Sequence, residues 1–213
     1  MKNEANIMIG FTVPNKTTRV MLFAVVAMAG LFTASLHAAE TAKPAAAEVA
    51  ADDDNWQVPV TLNKDGWMIY HNPRFGCVLP VPAGMKPLRP PDNGDGQAFV
   101  SADGKVTLTA CGGFNVDNTG DIAERWKNAL AEPDRTITYK RKTDAWFVIS
   151  GVCKDGTGFY EKYTANKNYF AVWTMTYPQA EEKKYAAWVE RIAKGYEARL
   201  GKGGDTLPEE DAK

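Results

Sequence analysis

Four side chains in the part of the chain that reads as folded could carry nucleophilic or metal chemistry: His71, Cys77, Cys111 and Cys153. A histidine beside a thiol or hydroxyl would supply a general base for a nucleophile. Histidine and cysteines at close spacing would hold zinc. The sequence supports neither. His71 precedes "NPR" and reads as an exposed turn residue, and no nucleophile-elbow pattern is present. The cysteines are far apart in sequence, with no Cys-x-x-Cys or His-x-x-x-His pair.

Two acidic stretches resemble calcium loops in composition. In "PDNGDGQ", Asp92-Asn93-Gly94-Asp95-Gly96 puts glycine where the third and fifth ligands of an EF-hand belong. In "NVDNTGD", counted from Asn115, Trp126 stands where the bidentate glutamate belongs. Both read as turns. The chain therefore offers no catalytic set, no metal set and no cofactor motif, and it reads as non-enzymatic.

The polar contacts that remain are those of a loop. "KPLRPPDNGDG" joins two strands with basic residues, prolines and an acidic end. Binding residues tend to sit on loops held by a rigid frame. Arg74, Lys86, Arg89, Asp92 and Asp95 are accordingly the candidate binding residues, beside the plainer reading of a proline-stiffened connection.

The elements that would position this loop follow from periodicity. "WMIY" is a short strand, and "FGCVLPVP" alternates Phe75, Cys77, Leu79 and Val81 toward a core. Pro80 and Pro82 cannot donate to a ladder, so that strand ends there or lies at an edge. "QAFVSADGKVTLTAC" is a hairpin around Asp103-Gly104. Ile122, Trp126 and Leu130 share one helical face, with Asp121 and Glu124 placed to cap and Pro133 beyond the end. "TITYKRK", "AWFVISGVC", "GFYEKYTA" and "YFAVWTMTYP", joined by short polar links, form a meander. A last helix runs from about Gln179 to Leu200, with Tyr185, Trp188, Ile192, Tyr196 and Leu200 as its apolar stripe. The fold class is α+β: an antiparallel sheet of about seven or eight strands with two packed helices.

The ends read differently. Lys2, Lys16 and Arg19, the apolar run Val20–Leu36 and the small residues of "HAAE" form a signal peptide over 1–38, cut after Ala38 or Ala39. An uncleaved segment would instead anchor the chain in a membrane. Residues 39–55 are an Ala-rich acidic linker, 56–200 one domain, and 201–213 a tail too polar to order itself. Localisation is thus periplasmic. With 25 Lys and Arg against 26 Asp and Glu, nothing recommends a nucleic acid or a charged membrane surface as partner.

An oxidising compartment favours one disulfide and one leftover thiol, or else three reduced cysteines buried as small apolar groups. Strand parity sends Cys77 to the core. Cys111 and Cys153, near strand ends, are then the pair to bridge.

"YHNPRFGCVLPVPAGMKPLRPPDNGDGQAFVSADGKVTLTACGGFN", "WFVISGVCKDGTGFYEKY" and "YAAWVERIAKGYE" together resemble a group of exported proteobacterial proteins of the PsbP-like superfamily. That fold is shared with a nuclear Ran-binding factor and with chaperones of type VI secretion effectors. The resemblance spans Trp67 to Glu197. It implies a non-catalytic fold that acts by binding other proteins, here an envelope protein or peptide. Immunity to a periplasmic toxin is one specific form. A small-molecule or metal-binding envelope protein is the alternative.

Overall fold

The computed structural model describes residues 56–116 and 120–205. The expected signal segment, linker and last eight residues lie outside them. The described chain runs β1 (Val60–Leu62), β2 (Met68–His71), β3 (Val78–Val81), β4 (Lys86–Pro87), β5 (Gly96–Val100), β6 (Thr107–Phe114), α1 (Ile122–Ala131), β7 (Arg135–Lys142), β8 (Trp146–Cys153), β9 (Thr157–Ala165), β10 (Tyr169–Pro178) and α2 (Glu182–Gly195). A 3-10 turn, Gln179–Glu181, leads into α2. The strands form a three-stranded sheet, β1-β2-β3, and a seven-stranded sheet, β4-β5-β6-β10-β9-β8-β7. Every paired neighbour is antiparallel.

The alternation of β10 shows how the large sheet is used. Ala171, Trp173, Met175 and Tyr177 point to one face, where they meet Leu108, Phe99, the small sheet (Tyr70, Leu79, Val81), Cys77 just before β3, and α2 (Tyr185, Ile192). Phe170 and Val172 point to the other, where Ile122 and Trp126 of α1 pack on Phe147, Ile149, Phe159 and Tyr163. Helix α1 begins where it does because Asp121 Oδ1 accepts from Ala123 N at 2.7 Å and from Glu124 N at 3.3 Å. Within the sheet, Gly151 permits the register shift between Ile137 and Tyr139 on β7, since a Cβ there would lie 1.9 Å from Thr136 O.

The fold is the expected α+β class with two helices and with ten strands, including two short ones, β1 and β4. Pro80 sits in β3, an edge strand of the small sheet, as its missing donor requires. All four residues of β3 are buried, however, because α2 covers the outward side of the strand. Helix α2 is shorter than its apolar stripe suggests. Tyr196 keeps the helical spacing but is extended, and Glu197 bridges to Val78.

The ordered chain continues past the boundary expected after Leu200, through at least Asp205. Gly204 N donates to Pro73 O at 2.8 Å and Asp205 N to Arg74 O at 2.9 Å, so this segment is seated on the "NPRFG" turn. Among the described residues, no helix is long and apolar enough to cross a membrane.

Candidate functional site

The "HNPRFG" turn is organised by Asn72, which is 2 % exposed. Its Oδ1 accepts from Arg74 N at 3.0 Å and Phe75 N at 2.7 Å. Its Nδ2 donates to Tyr70 OH and to Asp95 O, both at 3.0 Å. A buried amide with all its groups engaged is costly to replace, because each lost partner strands another polar group. The turn is thereby tied to the loop between β4 and β5.

Arg74 completes the tie. Its Nη1 donates to Asn93 O at 2.9 Å, and its Nε is ion-paired with Asp205. Asn93 in turn donates to Asp95 Oδ2 at 2.8 Å. Gln97 Nε2 donates to Leu88 O at 2.6 Å, and Leu88 N to Ala98 O at 2.9 Å, closing the base of the loop. The structure therefore brings two of the five candidate residues together, Arg74 and Asp95, and spends both on holding the loop. Lys86 lies on β4, and Arg89 and Asp92 stay exposed in the loop with Leu88, which is 44 % exposed. His71, half-buried at the end of β2, has Thr61 Oγ1 3.5 Å from its Nε2.

The three cysteines are free. A Cys111–Cys153 bridge is ruled out by the strand order. β6 and β8 are separated by β10 and β9, which puts them about 14 Å apart at ordinary strand spacing. Cys111 shares a row with Val172, Tyr163 and Phe147, whereas Cys153 ends β8, about 20 Å further along the strand from Phe147. A disulfide requires Cα atoms within about 7 Å. Only Cys153 stands at a strand end; Cys111 lies inside β6, and the local pattern carries no information on strand order. Burial pushes the Cys77 thiol up to about 12, with Cys111 adding to the rise. It pushes Cys111 up to about 11, with the Asp95 charge adding to it. Cys153 is raised by burial as well. Thiols so shifted are protonated at neutral pH and poor nucleophiles.

A second feature was not legible in the sequence. Between α2 and the large sheet opens a cleft of about 420 Å³, lined by Ser150, Tyr160, Tyr177, Ala186, Val189 and Ala193, with Glu182, Glu190 and Lys194 also on its wall. Tyr160 stacks on the buried Trp173, with ring centroids 4.9 Å apart. Lys162, on the same face of β9 as Tyr160, places its Nζ 5.4 Å from the Trp146 ring centroid and 5.5 Å from that of Tyr196. A smaller cleft of about 320 Å³ is lined by Asn115, Asp121, Ile122, Asp144, Ala165, Asn166 and Lys167. Among the described residues, no group of three His, Cys, Asp or Glu is placed to hold a metal ion.

Architecture defines the class: an antiparallel α+β domain with one helix on each face of its main sheet. No family model matches the chain, and no curated protein matches it. Among solved structures, it is similar to the solution structure of cyanobacterial PsbP (CyanoP) from Synechocystis sp. PCC 6803, with a TM-score of 0.42 and 8% identity. The match covers 70% of this chain and 98% of that one.

Proposed function

We propose that this chain is a non-catalytic accessory protein, exported to the periplasm, whose folded domain binds a protein or peptide partner through the loop Leu88–Asp95. The observation that carries the reading is the way this loop is held. Its base is fixed by Arg74, Gln97 and Asn72, while Leu88, Arg89, Pro91 and Asp92 are exposed. A contact surface ordered before binding loses little conformational entropy on association. The raised thiols argue against a cysteine nucleophile. Export rests on the charge, apolar run and small residues that precede Ala39. Immunity to a toxin acting in the periplasm is the most specific form of this role.

The test uses two baits in periplasmic extract, the native domain and its Leu88→Asp/Asp92→Arg variant. One dominant, salt-resistant partner that the native bait retains and the variant loses supports the loop as the contact. Equal capture by both baits, or none by either, overturns it. Mass spectrometry of the native protein tests export separately: a mature N-terminus at Ala39 or Glu40 is expected, and an intact Met1 in the cytosolic fraction contradicts it.

A further inference from the structure

Strand β9 carries a lysine in an apolar row. Lys162 lies in register between Val148 of β8 and Trp173 of β10, on the face covered by α2. Among the described residues no carboxylate pairs with it, and burial pulls its pKa below the ordinary lysine value. A partly desolvated ammonium without a counter-charge is unfavourable, and the Trp146 and Tyr196 rings offset only part of that cost. Arg141 reaches the same Trp146 ring from β7, at 5.5 Å. Two cations thus converge on one indole. Behind Lys162, Trp173 Nε1 is buried without a hydrogen-bond partner among the described residues.

The cleft of about 420 Å³ is lined by neither of these cations; it opens over Tyr160, which precedes Lys162 by two residues on the same face of β9. Its floor is Tyr160, and Ala186, Val189 and Ala193 give α2 a small-residue apolar wall. The carboxylates on the wall are engaged along the helix. Glu182 accepts from Gln179 at 3.0 Å, and Glu190 holds Lys194 at 2.6 Å. Apolar walls with a few convergent polar groups are what a small-molecule site presents.

We propose that this cleft binds a small organic anion, a carboxylate on an apolar stem, with the stem over Tyr160 against Ala186, Val189 and Ala193 and the carboxylate between Lys162 and Arg141. The ligand's charge supplies the counter-ion that Lys162 lacks, and its stem covers a tyrosine already stacked from below. The chain as a whole is near neutral, so attraction of an anion rests on these two side chains rather than on a general field. The site does not involve the loop Leu88–Asp95.

Calorimetric titration of the purified protein with octanoate, and with octanol as the uncharged control, tests the assignment. Octanoate is expected to bind at least about tenfold more tightly than octanol, and more weakly as salt is raised. Lys162→Met should weaken octanoate about tenfold, Arg141→Gln about threefold, and Lys127→Met, on the exposed side of α1, not at all. Ala193→Leu, which fills the cleft and leaves both cations in place, should also abolish binding. It decides the matter if Lys162→Met does not fold. Octanoate affinity indifferent to Lys162→Met and Ala193→Leu, equal affinity for octanol, or no binding up to about 10 mM octanoate each overturns the proposal.

Discussion

Glu197 and Val78 exchange both of their main-chain hydrogen bonds, at 2.8 and 3.0 Å. The chain leaving α2 is thereby added to the small sheet beside β3, and it continues across the turn that Asn72 organises. Gly203 passes so close to Arg74 that a side chain has no room: a Cβ there would lie 2.1 Å from Arg74 O. The C-terminal segment is part of the fold and fixes the residue that holds the candidate loop.

Gly203→Val should therefore cost about 2–4 kcal/mol, in the range of strongly disruptive single substitutions. Urea denaturation measures it. Because the displaced segment carries Asp205, the ion partner of Arg74, limited proteolysis should also cut the Leu88–Asp95 loop faster in the variant. An unchanged urea midpoint would show that the segment is not seated on the turn.

Alkaline pH should destabilise the domain earlier than an ordinary chain. Cys77 rises from 9.0 to about 12 and Cys111 from 9.0 to about 11 on folding. A raised acid ionises first in the unfolded chain, so the contribution is complete below pH 9 and is lost as pH climbs toward the folded values. Each thiol adds a slope approaching about 1.4 kcal/mol per pH unit in that window. Tyr160 and Tyr177, raised by burial from 10.0 to about 12, add to the loss from pH 10 upward. Unfolding midpoints across this range should fall, and Cys77→Ala should flatten the fall. A midpoint flat to pH 11 would contradict the burial of both thiols.

The thiol count gives a direct reading of the cysteine geometry. Protein denatured without reductant should titrate three thiols, where a Cys111–Cys153 bridge would leave one. In the native protein, Cys153 at its strand end should react well before the fully buried Cys77.

Replacing Asp121 with Ala should cost about 1 kcal/mol, since it strands the two amides that open α1. Asp121→Asn, which keeps an acceptor oxygen, should recover most of it in the same urea measurement.

Much of this fold was legible from local pattern. Asp103-Gly104, the spacing of Ile122 with Trp126, and the strict alternation of Tyr169 to Tyr177 each specify an element by themselves. What escaped depends on partners distant in sequence. Lys86 and Pro87 become a strand only by pairing with Val100 and Phe99. Tyr196 keeps helical spacing yet leaves the helix, because Val78 takes the next residue's main chain. Among the candidate residues, Arg74 and Asp95 have the chemistry of surface contacts, yet both are consumed in holding the loop, through partners distant in sequence. Lys162 looked like any polar position of a strand, since only the docking of α2 makes its face an interior one.

The order of the seven-stranded sheet has a kinetic consequence. Thr109 and Thr174 are register partners 65 residues apart, and β10 is the strand that joins β5–β6 to the meander. Closing such a loop precedes any reward from the pairing, and topologies rich in non-local contacts fold slowly. A ribosome that has not yet released Tyr169–Pro178 holds two sheet fragments with no shared core. Folding of this domain therefore waits on β10, the strand that gives the two fragments a common core.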